Sequence, residues 1–159
     1  MENPSEETPA RWESLPSWLL TQTANHAHRL VADGFSSVHA RGYHYRLLAT
    51  LEELGPASQA ALGRRSGIHL SDMVATVNEL ADRKLVERAP DPSDRRRNII
   101  SLTAAGTRQL RRLEERLAER QDELLAPLSP EERLRLTDLL SRLLDHHNRR
   151  IDTPEEPWR

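Results

Sequence analysis

The chain has 159 residues, a formal net charge of −2 and no cysteine, and 30% of its residues are charged. This length fits one domain with a single core, and the lack of cysteine excludes disulfides and thiolate metal sites. No apolar run approaches the roughly 20 residues of a membrane span. The acidic first residues do not read as a secretory signal or transit peptide. We therefore expect a cytoplasmic protein with no membrane partner.

Charge is distributed unevenly along the chain. Residues 58–112 contain 11 Lys and Arg against 6 Asp and Glu, a net of +5, whereas residues 1–57 carry −3 and residues 113–159 carry −4. A basic middle segment between acidic ends is typical of a site for a polyanion. The overall charge of −2, which alone would argue against a nucleic-acid partner, therefore hides a basic segment that could bind one.

Apolar residues that recur every three or four positions predict helices through most of the chain. The predicted helices cover about residues 17–34, 43–54, 58–66 and 70–83, a long segment after Thr103, and a last segment that restarts at Ser129. Residues 85–88 and 99–102 are short strand candidates, and the turn-rich sequence DPSDRRRN between them predicts a hairpin. Residues 1–15 and 152–159 are predicted to be polar, disordered tails.

Two short helices followed by a hairpin with an arginine-rich tip predict a winged helix-turn-helix domain. The second helix of such a domain fits the major groove of DNA, and an arginine tip can lie on phosphate or enter the minor groove. The alternative for the tip is a solvated, charged loop. The candidate DNA-binding residues are Ser71, Asp72, Ala75, Thr76 and Asn78 on the recognition helix, Arg95, Arg96, Arg97 and Asn98 in the wing, and Arg64, Arg65 and His69 for the DNA backbone. Asp72 has a second interpretation, since an acid in the first turn stabilises its own helix.

The stretch LADRKLVERAPDPSDRRRNIISLTAAG resembles the wing signature of the MarR family of bacterial transcription regulators. The matching positions are Leu85, Val86, Arg88, Asp94, Arg95, Arg96, Leu102, Thr103 and Gly106. The resemblance implies a repressor that binds a pseudo-palindromic promoter site as a homodimer, with the first helix and the last two helices at the dimer interface. It also implies that Asp94 braces an arginine of the wing. Lys84 departs from the pattern, because the family often has glycine there.

The leucine stripes of the flanking helices independently favour a homodimer, because such helices usually pack against a symmetric copy. An ordinary bundle within one chain is the alternative. The predicted fold class is mainly α with a small β-wing. We expect a dimerisation helix and linker at residues 16–42, the winged helix-turn-helix domain at 43–106 and further dimerisation helices at 107–151.

The family resemblance also implies a pocket for a small aromatic ligand, phenolic or carboxylate, between the dimer helices and the winged domain. The candidates are Trp18, His26, His39, Tyr43, His44 and Arg46. Such rings, one arginine and several histidines suit an aromatic anion, but the same residues could equally fill an interface.

The sequence does not indicate a metal site, a cofactor site or an enzyme active site. The histidine pairs diverge around their helices, so we expect no metal and no cofactor. No nucleophile with a base, paired carboxylates or phosphate-binding glycine loop is present, so we expect no enzyme. The rival function is a winged-helix protein-interaction module that does not bind DNA, which the acids on the recognition helix motivate.

Overall fold

The structure, a computed structural model, describes residues 10–151, with the side chains of residues 150 and 151 left out. The predicted tails therefore lie outside the described residues, except for residues 10–15. These six residues form a hydrogen-bonded turn in which the Leu15 amide donates to the Trp12 carbonyl at 3.2 Å, and the Trp12 ring meets Trp18 edge-on. The chain divides into two compact units, one reaching to Leu124 and one starting at Leu125.

Two helices open the first unit, α1 (Pro16–Ser36) and α2 (Gly42–Leu54). Pro16 occupies the start of α1, where its missing N–H costs no hydrogen bond. Gly55 follows α2 with φ 73°, a left-handed conformation that glycine adopts without strain, so the Gly-Pro pair ends this helix.

The helix-turn-helix consists of α3 (Gln59–Ser66) and α4 (Leu70–Asp82), close to the predicted bounds. Ser58 caps α3 by accepting a hydrogen bond from the Ala61 amide at 3.3 Å. Gly67 ends α3 in the left-handed region, φ 64°, a conformation that glycine often adopts directly after a helix. This glycine reverses the chain tightly enough for α4 to follow three residues later.

The wing is formed by strands β2 (Val86–Pro90) and β3 (Asn98–Leu102), which pair antiparallel with Val86 opposite Leu102 and Pro90 opposite Asn98. A third strand, β1 (Ala57–Ser58), pairs antiparallel with the other edge of β3, so the sheet order is β1-β3-β2. The sequence analysis did not predict β1, because two residues carry no period-2 signal and their pairing partner lies some forty positions away.

Helix α5 (Ala104–Leu124) completes the first unit. Thr103 caps it, as predicted, by accepting a hydrogen bond from the Gly106 amide at 3.0 Å. The amide of Gln109 donates to the Val38 carbonyl at 3.0 Å, which ties α5 to the end of α1. The core of this unit is formed by fully buried side chains from α2, α3, α4, β3 and α5: Leu47, Leu48, Leu62, Met73, Val77, Leu80, Ile100, Leu110 and Leu113.

The second unit contains α6 (Pro130–Ile151), which begins with a capping box after Ser129, where the sequence predicted the helix to restart. The Ser129 hydroxyl accepts from the Glu132 amide at 3.2 Å, and the Glu132 carboxylate accepts from the Ser129 amide at 2.8 Å. Among residues 130–149, whose side chains are described, none is buried. Six helices and a small three-stranded sheet confirm the predicted fold class. Within residues 10–151, no helix combines the length and apolar character needed to cross a membrane.

Candidate nucleic-acid interface

Helix α4 has one buried and one exposed face. Its buried side chains are Met73, Thr76, Val77 and Leu80, spaced three or four residues apart. The opposite face exposes Ser71, Val74, Ala75 and Asn78. We call these four residues the reading face of α4. Three of the five residues predicted on the recognition helix lie on it.

Thr76 was predicted to face outwards, and this expectation is wrong. Its side chain is buried, because it falls between Met73 and Leu80 on the packed side of the helix. Its hydroxyl donates to the Asp72 carbonyl at 2.6 Å, which satisfies the polar group without water. Val74, although apolar, is exposed.

Two of the three acids of α4, Asp72 and Glu79, turn towards α2 and away from the centre of the reading face. The hydroxyl of Tyr43 donates to the Asp72 carboxylate at 3.4 Å, and the guanidinium of Arg41 forms an ion pair with Glu79. Hydrogen bonds from Arg41 and His44 lower the pKa of Glu79, so this acid stays ionised and paired. The acids therefore do not oppose a polyanion at the centre of this face.

His44 is buried and connects α2 to α4. Its Nδ1 accepts a hydrogen bond from the Arg41 amide at 3.2 Å, so its Nε2 carries the proton and donates to Glu79 at 2.8 Å. Burial lowers the pKa of His44, although the neighbouring Glu79 opposes the shift. The sequence analysis missed this link, since the two residues are 35 positions apart and no local pattern joins them.

The wing tip presents its arginines to solvent. Arg95, Arg96 and Arg97 are all exposed. Within the described chain, the guanidinium groups of Arg95 and Arg97 have no hydrogen-bond partner. Asp94 accepts hydrogen bonds from the backbone N–H of Arg96 at 3.1 Å and from its Nε at 3.4 Å. Asp94 therefore contacts a wing arginine, and its bracing role, which the family resemblance implies, stays a prediction.

A second aspartate organises the same loop. The Asp91 carboxylate accepts from both the amide and the hydroxyl of Ser93, at 2.8 and 2.7 Å, and these bonds lower the pKa of Asp91. The Asp91 amide donates to the Arg97 carbonyl at 2.8 Å and closes the loop. The Asp-Pro-Ser sequence is a signal that could have predicted this turn, because aspartate favours such side-chain-to-backbone bonds.

The backbone candidates lie around the turn between α3 and α4. Arg64 and Arg65 occupy the exposed last turn of α3, and Arg65 pairs with Glu53 of α2. His69 is the exposed residue before α4, and its Nδ1 lies 3.1 Å from the Ser71 hydroxyl. On the other side of the reading face, the guanidinium of Arg88 in β2 donates to the amide oxygen of Asn78. Cations therefore flank the reading face on two sides.

The residues predicted to bind a ligand lie at several separate places in the structure. The Trp18 ring packs edge-on against the Trp12 ring. The Nδ1 atom of His26 accepts a hydrogen bond from the Arg29 guanidinium at 2.9 Å. His39 is exposed, with φ 53°, and its carbonyl accepts from Arg83. Two candidates, Tyr43 and Arg46, do meet on α2, where the Arg46 guanidinium lies 5.9 Å from the centre of the Tyr43 ring, and Tyr43 and His44 each bond to an acid of α4.

No group of three or more potential metal ligands occurs in the part of the chain that the structure describes.

The sequence profile of the MarR family matches residues 38–97, which run from just after α1 through the wing tip. Curated relatives at 31% to 33% identity over 98 to 99 residues are transcriptional regulators, and the chain spans about three fifths of their length (60% and 62%).

Solved structures match over more of their length. A probable transcriptional regulator from Pseudomonas aeruginosa is 32% identical with a TM-score of 0.73, covering 84% of this chain and 99% of that one. The PcaV transcriptional regulator from Streptomyces coelicolor, in complex with its natural ligand, is 30% identical with a TM-score of 0.71, covering 87% and 97%. The transcriptional repressor CouR, bound to a 23-mer DNA duplex, is 25% identical with a TM-score of 0.76, covering 88% and 99%.

These matches define the class of protein as a winged helix-turn-helix of the transcription-regulator type. The chain belongs to the MarR family. Members of this family are DNA-binding regulators and not enzymes, which agrees with the prediction from the sequence.

Proposed function

We propose that this protein is a sequence-specific DNA-binding transcription regulator that represses its target by occupying a pseudo-palindromic promoter site as a homodimer. The observation that carries the proposal is the wing tip with three exposed arginines, connected through Arg88 to the reading face of α4. The DNA-bound CouR repressor, similar in fold along nearly its whole length, supports it.

In this proposal each part of the winged domain has its own role. Helix α4 enters the major groove with Ser71, Ala75 and Asn78 towards the bases, and the wing arginines neutralise phosphates or enter the minor groove. Arg64, Arg65 and His69 contact the DNA backbone beside the turn. Asn98, the first residue of β3 next to the wing tip, contacts the same backbone, and Asp94 and Asp91 hold the loop in shape.

The homodimer is supported by apolar surface that each unit leaves exposed. Helix α1 and the turn before it expose Leu15, Leu19 and Leu20, and α6 exposes Leu139, Leu140, Leu143 and Leu144. Leucines that recur along one helix face without a partner mark an interface. We therefore assign residues 16–42 and 107–151 to dimerisation and residues 43–106 to DNA binding.

Salt dependence tests the proposal directly. A fluorescent duplex covering the protein's own upstream region is titrated with the full-length chain at 50, 100 and 200 mM salt. Contacts to six or more phosphates would reduce affinity by about 10³-fold across this range, because bound counterions are released. A DNA affinity that does not change with salt, or no DNA binding at low salt, would overturn the proposal. The protein-interaction module would then be the remaining candidate function.

The wing is tested with a charge-matched pair of variants. Replacing Arg95, Arg96 and Arg97 with Ala should abolish specific binding while the dimer persists in size-exclusion chromatography. The control replaces Arg11, Arg29 and Arg135 with Ala, which removes the same charge from exposed positions outside the winged domain. An equal loss of affinity in both variants would show that only total charge matters.

We also propose release from DNA by a small aromatic acid bound near Tyr43 and Arg46. An exposed guanidinium beside a phenol ring suits an aromatic carboxylate, and the ligand-bound PcaV structure supports ligand control. The hydrogen bonds from Tyr43 and His44 to α4 provide the physical link to the reading face. Salicylate, used as the probe, should weaken operator binding by the wild type and have no effect on Arg46→Ala.

A further inference from the structure

The reading face of α4 combines exposed apolar side chains with a complete lack of cations. Helix α4 contains no Lys, Arg or His between Leu70 and Asp82. The Val74 side chain is 42% exposed and Leu70, at the start of the helix, is 65% exposed. Exposed valine and leucine on a helix flanked by arginines need a partner that is both anionic and locally apolar.

In the major groove of DNA, only one base presents an apolar group beside the anionic backbone. Thymine presents a methyl group there, whereas guanine presents two acceptors that are read best by arginine or lysine. Because α4 carries no cation, its own side chains cannot make the usual bidentate contact with guanine. The groove partner that fits Val74 and Ala75 is the thymine methyl group.

Asn78 fits the adenine of the same kind of base pair. An asparagine amide can bind adenine through its oxygen and its NH2 group together. Arg88 donates to the Asn78 oxygen and so fixes which way the amide points. The oxygen retains a second lone pair for the adenine amino group. Asn78 lies four residues after Val74 and three after Ala75, which places all three on one face.

We propose that α4 recognises A·T base pairs, with Val74 in contact with a thymine methyl group in each half-site. This inference rests on the proposed function and specifies which bases the protein selects. Cations for the phosphates come from the wing and from α3, and the recognition helix itself contributes shape and apolar contact.

The test begins with selection of binding sites from a random duplex library by the full-length protein. The enriched half-site is then rebuilt with each thymine replaced in turn by deoxyuridine, which keeps base pairing and removes only the methyl group. We expect one symmetry-related pair of positions at which deoxyuridine weakens binding, by about fourfold for each methyl group lost from contact.

The Val74→Ala variant identifies the side chain responsible. This variant should bind the thymine and deoxyuridine duplexes with nearly equal affinity, so that the two changes are coupled in a double-mutant cycle. Its folding is not at risk, since the side chain is exposed and alanine favours helix more than valine. Leu54→Ala is the matched control, because Leu54 is 46% exposed at the end of α2, away from the reading face; it should keep the full deoxyuridine penalty.

Two outcomes would overturn this inference and leave the proposed function intact. Specific, salt-sensitive binding with no penalty at any deoxyuridine would show that no methyl group is read. A penalty that persists undiminished in Val74→Ala would assign the methyl contact to another residue. A protein that binds no duplex at low salt would instead overturn the proposed function and, with it, this inference.

Discussion

The Nε2 atom of His44 in α2 lies 2.8 Å from the Glu79 carboxylate in α4, and this bond joins a buried imidazole to the recognition helix. The same carboxylate accepts from Arg41, which lies just before α2. The start of α2 and the recognition helix are therefore joined through Glu79. This arrangement makes the protonation state of His44 relevant to the stability of the winged domain.

We expect the free energy of unfolding to decrease as pH falls below about 6.5, the ordinary pKa of histidine. Burial lowers the pKa of His44 in the folded state, so between that lowered value and 6.5 the unfolded chain binds more protons than the folded one. The stability that neutral His44 contributes is complete above pH 6.5 and is lost on acidification. Glu79, whose pKa is lowered from 4.5, adds a further loss below that value. Chemical denaturation at pH 5.0 to 8.0 measures the effect.

His44→Gln separates this contribution from the rest of the chain, because glutamine retains an N–H donor for Glu79 and does not titrate. Its unfolding free energy should change less between pH 5.0 and 8.0 than that of the wild type. His28→Gln, at an exposed position of α1, should reproduce the wild-type profile. Identical profiles for all three proteins would contradict the role given to His44.

Gly106→Ala should destabilise the winged domain by roughly 2 to 3 kcal/mol, since overpacking costs of this size follow when backbone must move. A Cβ at this position would lie 2.0 Å from the Leu85 carbonyl oxygen, so α5 would have to shift away from the base of the wing. Thermal and urea unfolding measure the loss. Gly63→Ala, whose nearest neighbour is the Ile68 oxygen at an ordinary 3.6 Å, should be neutral or stabilise α3 by up to about 1 kcal/mol. Equal stability of the two variants would rule out the close approach.

Lys84→Gly should stabilise the protein by about 1 kcal/mol, because a left-handed backbone costs a side-chain-bearing residue about 1–2 kcal/mol and glycine almost nothing. Lys84 has φ 57°, which accounts for the glycine that the family often has there. The Thr103 hydroxyl bonds to the Lys84 carbonyl and is unaffected by the change. Lys84→Ala keeps the Cβ and should bring no such gain. A gain of the same size in both variants would place the effect in the lysine side chain instead of the backbone.

Leu143→Glu should weaken the proposed dimer at least tenfold, as a charge in an apolar interface is left unpaired. Leu134→Glu is the matched control on the same helix. Both leucines are exposed, but nine residues separate them, which places them about 180° apart around α6. Analytical ultracentrifugation compares the two dissociation constants. A dimer that is unchanged in Leu143→Glu would remove this face of α6 from the interface.

Local chemistry explains why much of the fold could be predicted. Gly67 and Thr103 end or begin helices by bonds to residues within a few positions, and the hairpin follows from a turn between two short apolar segments. The family could be recognised from the sequence because its motif is continuous in the chain, and the match to the family profile confirms it. Strand β1 could not be predicted from its own two residues, because it is defined only by its pairing with the distant strand β3.

The number and order of the helices, the arginine-rich wing and the basic charge of the middle segment could be predicted from local sequence, since each of these depends on neighbouring residues. The burial of Thr76, the exposure of Val74 and the bond between His44 and Glu79 depend on how the helices pack in three dimensions. Periodicity and polarity predict that a helix is amphipathic, but packing against α2 and the wing sets which side turns inwards. The composition of the reading face was therefore decided by contacts between distant parts of the chain.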